Sequence, residues 1–251
     1  MKLISFNVRG LGGVLKRREV GRMVRAEHPD FLFLQETKLE RVEGTLCKML
    51  WFSDEFDWVM KESDGASGGL LCVWNSLEFV KQGEFLGDGF LGITGEWGSK
   101  KMKCNFVNVY APTDRHKKVK LWAELRQRIM DEEGIWMIIG DFNAVTCIEE
   151  RRGRTGESPE MKEFDDFVVS TGLVDLKLAN RRFTWYRPDG SSMSRLDRAL
   201  LSIEMCNVGE EWVQQGLQRI VSDHCPIMVK TVVVDWGPKP FRVLDAWQQH
   251  L

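Results

Sequence analysis

The chain has 251 residues, a net charge of −2 and a charged share of 29%, which is the profile of an ordinary soluble domain with room for one large core and no firm case for two. So little net charge excludes a global attraction to nucleic acid or an anionic membrane, and leaves any polyanion contact to local basic patches. The six cysteines, at 47, 72, 104, 147, 206 and 225, form no CxxC pair and fit a reducing compartment; no apolar run reaches membrane length, so a soluble intracellular protein is expected.

Strand-like runs recur along the chain at 2–8, 30–35, 69–75, 103–111, 135–143, 182–187 and 225–234. Helical patterns lie between several of them. Residues 14–27 mix basic side chains with Val20, Met23 and Val24, and in 116–131 Val119, Trp122, Leu125 and Ile129 recur near helical spacing. A third pattern opens at Ser158-Pro159, an N-cap residue followed by proline at the first helical position, and carries Phe164, Phe167 and Val168. Alternating strands and helices predict a layered α/β or α+β domain over residues 1–232. Gly237, Pro238 and Pro240 then interrupt the last strand, and the amphipathic run after them predicts either a linker or tail over 233–251 or a C-terminal helix packing back on the domain.

Most of these strands end in polar residues that a core strand has no use for. Asn7, Gln35, Glu36, Asn108, Tyr110, Asp141, Asn143 and Asp197 all fall at such ends, and Asp223 and His224 stand side by side just ahead of Pro226. Neighbours on a regular strand face opposite ways, so a shared site for Asp223 and His224 requires a bend that feeds the strand. Singly, each polar residue has a bland explanation as a turn or a solvated end. Together they fall where α/β domains place ligand sites. The oxygens of Asn7, Glu36, Asp141 and Asp223 suit a hard cation such as Mg²⁺, and a single convincing histidine without a cysteine cluster argues against zinc. No Walker loop, GxGxxG or serine elbow is present. A metal, a positioned histidine and a carboxylate base point to hydrolysis of a phosphate ester by activated water.

In chain order, "FN-RG", "QET", "NVYAP", "GDFN", "SRLDR" and "SDHCPI" resemble the endonuclease/exonuclease/phosphatase superfamily over residues 2 to about 232. The stretches "GASGGLLCVW", "FDDFVVSTGLVDL", "RRFTWYRPDGSSMSRLDRALLS" and "GPKPFRVLDAW" resemble the endonuclease domains of plant LINE-type (non-LTR) retrotransposons. The resemblance implies a four-layer sandwich, two mixed β-sheets face to face with helices outside. It implies a Mg²⁺ (or Mn²⁺) site with Glu36 as principal ligand and Asn7 and Asp223 nearby. By the same resemblance Asp141, helped by Asn143, handles the attacking water, Tyr110 and His224 contact the phosphate, and Asp197 holds the imidazole. Arg9 departs from the pattern, standing where abasic-site repair enzymes of the superfamily carry an aspartate, which argues against a second metal position.

The implied activity is a DNA endonuclease that nicks one strand and leaves a 3′-hydroxyl, acting as a monomer, in the nucleus if the target is genomic, and followed in a parent chain by a reverse transcriptase. Arg115, Lys117, Lys118, Arg151, Arg152 and Arg154 are the expected nucleic-acid contacts. The residues "PDGSSM" predict a hairpin turning at Asp189-Gly190. The alternatives are a phosphoesterase acting on an inositol phosphate, a phospholipid or RNA, and an idle nucleic-acid-binding relic.

Overall fold

Side-chain alternation along the strands builds the architecture. The structure is a computed structural model and describes residues 1–65, 67–153, 156–208 and 211–232. The elements are β1 (Lys2–Asn7), α1 (Val14–Glu27), β2 (Phe31–Gln35), α2 (Gly44–Leu50), β3 (Phe56–Asp64), β4 (Ser67–Asn75), β5 (Phe79–Gly87) and β6 (Phe90–Trp97). They continue as β7 (Met102–Tyr110), α3 (Arg115–Asp131), β8 (Ile135–Asp141), β9 (Arg151–Arg152), α4 (Pro159–Thr171), β10 (Val174–Asp175) and β11 (Trp185–Tyr186). The last are β12 (Met193–Ser194), β13 (Asp197–Leu201), α5 (Ile203–Cys206), β14 (Glu211–Gly216) and β15 (Ile227–Val232).

Two six-stranded sheets result, ordered β14-β15-β1-β2-β4-β3 and β10-β13-β8-β7-β6-β5, with a small β11-β12-β9 sheet beside them. Each large sheet is mixed. Its central pair is parallel, β1 with β2 and β7 with β8, because a helix connects the two strands; the other pairings are antiparallel.

One parity of each strand faces the other sheet. Leu3, Phe31, Phe33, Phe106, Met137, Ile139 and Ala199 meet there in a common core. The opposite parity packs under helices: Ile4, Phe6, Leu32 and Leu34 against α1 and α2, Val107, Val109 and Ile138 against α3 and α4. This is the expected helix–sheet–sheet–helix sandwich. The inward rows change character along their length. Leu3 is followed by Ser5 and Asn7, Phe33 by Gln35, Phe106 by Asn108 and Tyr110, and Ile139 by Asp141, so the inter-sheet layer turns from apolar to polar at one end. There Gln35 Nε2 donates to Ser5 Oγ (2.9 Å) and to Asn108 Oδ1 (2.7 Å), tying one sheet to the other.

Several boundaries differ from expectation. The run 182–187 is a strand only at Trp185–Tyr186, and within the described part of 225–234 the strand begins at Ile227, not at Cys225. Strands β3, β5, β6, β13 and β14, and the two-residue β9, β10 and β12, lie outside the expected runs. In β5 only Phe79 is buried and glycines interrupt the run, so an edge strand of this kind carries almost no apolar alternation. On α3 the buried face is Lys118, Leu121, Trp122 and Leu125, while Val119 is exposed. Helix α4 begins at Pro159 as expected, although the Ser158 side chain makes no capping bond. The tail 233–251 and Arg154 lie outside the described residues. Among the described residues no helix is long and apolar enough to cross a membrane.

Candidate active site

The polar end of the inter-sheet layer opens into a cleft of about 700 Å³ lined by Arg9, Glu36, Tyr110, Asp141, Asn143 and His224, among others. Adjacent strands bring three of the expected residues into one row: Tyr110 is the register partner of Asp141 across β7 and β8, and Asp141 that of Asp197 across β8 and β13. The glycine of "GDFN" is required here. Gly140 has φ +149°, and a Cβ on it would lie 2.0 Å from the Val109 carbonyl. Phe142, fully buried, is held between Trp122 and Phe164, with ring centroids 6.0 and 5.4 Å away; it anchors Asp141 and Asn143 on either side.

Four residues beside the cleft, Arg9, Glu36, Lys38 and Asn143, have left-handed backbone, with φ of 47°, 50°, 53° and 46°. Only asparagine among these tolerates that region readily, and such strain gathers where packing over-determines it at working sites. Around Glu36, Gly10 N donates to the Glu36 carbonyl (2.6 Å) and Thr37 N to the Gly69 carbonyl (3.0 Å). Gly69 permits this approach, since a Cβ on it would lie 2.4 Å from Thr37 Oγ1.

Asn7 bridges the two sheets. Its Nδ2 donates to Glu36 Oε1 (3.0 Å) and to Asp141 Oδ2 (2.9 Å), and its Oδ1 accepts from Arg9 N (3.1 Å). Asp141 Oδ1 accepts from Asn143 N (2.9 Å). Burial raises the Asp141 carboxyl above its ordinary range, with His224 opposing, so it is suited to accept a proton. Burial and then the Glu36 carboxylate raise the Tyr110 phenol.

Asp223 and His224 sit on a bend ahead of β15, as the question of their shared site required. The bend is pinned to the chain at 184–186: Tyr186 N donates to the Asp223 carbonyl and Cys225 N to the Thr184 carbonyl, at 3.0 and 2.7 Å. His224 therefore turns inward and Asp223 sideways. His224 Nδ1 lies 2.9 Å from Asp197 Oδ2 and Nε2 lies 3.7 Å from Asp141 Oδ2. A carboxylate only accepts, so Nδ1 carries the proton and Nε2 remains for the cleft. Burial lowers the imidazole pKa, but Asp197 and Asp141 more than offset it and raise it to about 9. Asp141, Asp197 and His224 have the spacing of a metal cluster, yet with Nδ1 committed to Asp197 the charged imidazole itself is the cation of this group.

Asp223 has both oxygens engaged, Oδ1 2.9 Å from Arg9 Nε and Oδ2 accepting from Trp185 Nε1 at 2.8 Å. Glu36, Asn7 and Asp223 each carry a side-chain oxygen, although Asn7 turns its Nδ2 to Glu36 and the Asp223 oxygens are held by Arg9 and Trp185. That chemistry fits a hard divalent cation, and these residues would hold it.

The expected nucleic-acid contacts divide. Arg151 lines the cleft, and Arg152 and Lys117 are exposed. Arg115 is committed to a bidentate pair with Glu163, Nη2 donating to Oε1 at 2.5 Å and Nε to Oε2 at 3.1 Å. Lys118 does not belong to a solvated phosphate track: it is 4% exposed and its Nζ donates to the Asn143 carbonyl at 2.7 Å. One helical turn places it inward, where it props the "GDFN" loop. The hairpin turn forms as expected, Gly190 N donating to the Arg187 carbonyl (2.9 Å), and carries Arg187, Ser191 and Ser192 to the cleft wall. Sequence reasoning passed over Thr184, whose Oγ1 accepts from Leu196 N and Asp197 N at 3.0 Å each, and Trp185. Both lie in the quoted "FTWYR", so the motif was visible although the contacts were not.

The endonuclease/exonuclease/phosphatase family model matches residues 4–224. Among solved structures, the chain is similar to a 3′ phosphatase from Neisseria bound to a product DNA hairpin (TM-score 0.73, 20% identity, 93% of this chain and 100% of that one). It is also similar to an AP endonuclease from Leishmania major (0.70, 18%, 91% and 86%) and to a mannosyl-6-phosphatase from Bacteroides thetaiotaomicron (0.67, 14%, 93% and 100%). At these identities the structures share the fold, and the family model spans most of the sequence; the chain belongs to the endonuclease/exonuclease/phosphatase family.

Proposed function

We propose that the chain is a divalent-metal-dependent DNA endonuclease, of the kind that nicks a retrotransposon target site. The observation that carries this reading is the buried His224–Asp197 pair set beside Asp141, which Asn7 joins to Glu36 at the floor of an open cleft. Glu36 would be the principal ligand of the ion, with Asn7 beside it and Asp223 nearby, joined to the site through Arg9. A Mg²⁺ or Mn²⁺ ion there supplies Lewis-acid stabilisation of charge developing on the phosphoryl group.

The protein's own groups do the rest. His224, charged, donates from Nε2 to a non-bridging phosphate oxygen, and Asp197 fixes the ring for that role. Tyr110 donates its phenol proton in a hydrogen bond to the same phosphate. Asp141, kept in place by Asn7 and Asn143, takes a proton from the attacking water. The new P–O bond forms, the P–O3′ bond breaks, and O3′ leaves with its electron pair and gains a proton from water, giving a 3′-hydroxyl and a 5′-phosphate.

DNA is the favoured substrate because Arg151, Arg187 and the hairpin stand along the cleft wall, where a backbone longer than one phosphate would run. The fold also serves phosphomonoesters, as the mannosyl-6-phosphatase relative illustrates. Nicking of supercoiled plasmid with Mg²⁺, and none with EDTA, is the expected result. Metal-dependent release of phosphate from small monoesters with no nicking would move the substrate class. DNA binding without hydrolysis of either would mark an idle relic.

A further inference from the structure

The residue that breaks the motif pattern occupies a position with consequences for ion binding. Arg9 Nε lies 2.9 Å from Asp223 Oδ1 and 3.9 Å from Glu36 Oε1, so one guanidinium nitrogen is shared between two carboxylates on different elements. The backbone of Arg9 is held from both sides: its N–H donates to Asn7 Oδ1 at 3.1 Å and its carbonyl accepts from Lys16 Nζ at 2.8 Å. The second oxygen of Asp223 is taken by Trp185. Glu36 differs. Its carboxylate accepts from Asn7 Nδ2 at 3.0 Å and lies beside the Tyr110 phenol, with Arg9 and Lys38 standing off at 3.9 and 3.8 Å.

We infer that Arg9 is a built-in cation that fills the place between Glu36 and Asp223, so that the cleft takes one divalent ion, on the Glu36–Asn7 side, and not two. The inference rests on the metal-dependent reading of the cleft given above. A guanidinium keeps its charge at every physiological pH and cannot dissociate from the chain. It neutralises Asp223 without exchange, and it repels a second divalent ion from the same few ångströms. Asp223 then anchors the guanidinium, and Trp185 anchors Asp223, which explains why an indole N–H is directed at a carboxylate in the floor of the cleft.

The test is the number of Mn²⁺ ions bound by the DNA-free full chain, read from the free-ion EPR signal during titration, with plasmid nicking followed in parallel. Wild type should bind one ion. Arg9→Asp should gain a second, and adding Asp223→Asn to that variant should remove it. Arg9→Lys, which keeps the charge, should stay at one. Arg9→Asn provides the same readout if the aspartate perturbs the melting temperature, since both Asp and Asn tolerate the left-handed backbone at φ 47°. Two ions of similar affinity in wild type, or a single ion in both Arg9→Asp and Arg9→Asn, would overturn the role of Arg9 while metal-dependent nicking left the reading of the cleft intact. No ion and no nicking in wild type would overturn both.

Discussion

The two parallel units at the centres of the sheets, β1–α1–β2 and β7–α3–β8, share a plan and differ in the charge at their ends. Each sets two strands side by side with a polar register pair at the top, Asn7 opposite Gln35 in one and Tyr110 opposite Asp141 in the other. The first ends at Glu36, an acid ringed by the cations of Arg9 and Lys38. The second ends at Asp141, an acid set against another acid, Asp197, with His224 wedged beside both. An acid crowded by burial and another acid holds protons more readily, and the Asp141 carboxyl is raised accordingly. Under the proposed function, ion binding falls to the first half and proton handling to the second. Asn7 donates to both acids and is their hinge.

The largest expected effect comes from removing the charge on the first side. Glu36→Gln keeps the shape and the Asn7 contact but loses the ligand, and should lower Mg²⁺-dependent nicking by at least about 10²–10³-fold, the range for losing one well-placed electrostatic stabiliser. The melting temperature and metal-free DNA binding should hold. Undiminished nicking would place the ion elsewhere and dissolve the division between the halves.

On the second side, Asp197→Asn should reduce turnover strongly with little change in KM, and adding it to His224→Ala should cost little more, because residues acting as one unit fail together. Its pH profile carries a sign. The His224 pKa is raised, to about 9, so its contribution is fully present below the unfolded value of about 6.5 and is lost as the pH rises through about 9. Wild-type activity that needs the imidazolium should therefore fall on the alkaline side of that value. In Asp197→Asn the same limb should move to lower pH. Full additivity, or an unmoved limb, would separate the two residues.

The third effect is on stability and concerns a second ion group, away from the reacting atoms. Arg198, with no exposure, pairs with Asp175 at 2.6 Å and with Glu150, and Arg195 bridges the same two acids at 2.6 and 2.7 Å. Burial pushes the Glu150 carboxyl up, but the two arginines prevail and hold it at about 2. Its contribution is thus present above about pH 4.5 and is lost only as the pH falls through 2. Arg198→Met would leave two partly buried carboxylates on one arginine and should cost about 3 kcal/mol, the low end for breaking a buried pair, lowering the melting temperature by roughly 6–12 °C for a domain of this size. Nicking measured well below that temperature should drop only a few-fold, because Asp197 on the same strand faces the opposite way. A loss of turnover as large as that of Asp197→Asn would merge this group with the site.

What the sequence makes legible follows from strand periodicity. An inward row such as Phe106, Asn108, Tyr110 announces both the core and the point where it turns polar, so the sandwich and the polar cluster at its end can be read without coordinates. Edge strands such as β5, with one buried residue, carry no such row. Contacts between distant segments carry no period at all: Arg9 with Asp223, Trp185 with Asp223, and Arg198 with Glu150 each join residues whose spacing in the chain follows no repeat. Lys118 fails for a subtler reason. In a basic run, composition predicts a solvated face, and only the helix phase set by Leu121, Trp122 and Leu125 turns that one lysine inward.

The smallest effect tests where DNA lies relative to the two halves. Arg152 and Lys117 are exposed, and the Arg187 side chain, 60% exposed, pairs with Asp189 at 3.4 Å. Arg152 and Arg187 belong to the small sheet and hairpin on the proton-handling side, and Lys117 begins α3 above it. If the backbone of the substrate runs along that wall, replacing Arg152 and Arg187 with glutamine should weaken binding and flatten its salt dependence, each lost phosphate contact lowering the log–log slope by about 0.9 on duplex DNA. Lys117→Gln should add a similar decrement if the track reaches the start of α3. Cleavage of a small chromogenic phosphodiester should hardly change, since none of the three touches the reacting atoms. Neutralising Lys118 should behave otherwise: because its ammonium supports the Asn143 carbonyl, Lys118→Met should lower turnover on the small and the long substrate alike and leave the salt slope in place. A flattened slope in Lys118→Met, or an unchanged one in the arginine pair, would move the track off this wall and towards the cationic ring around Glu36.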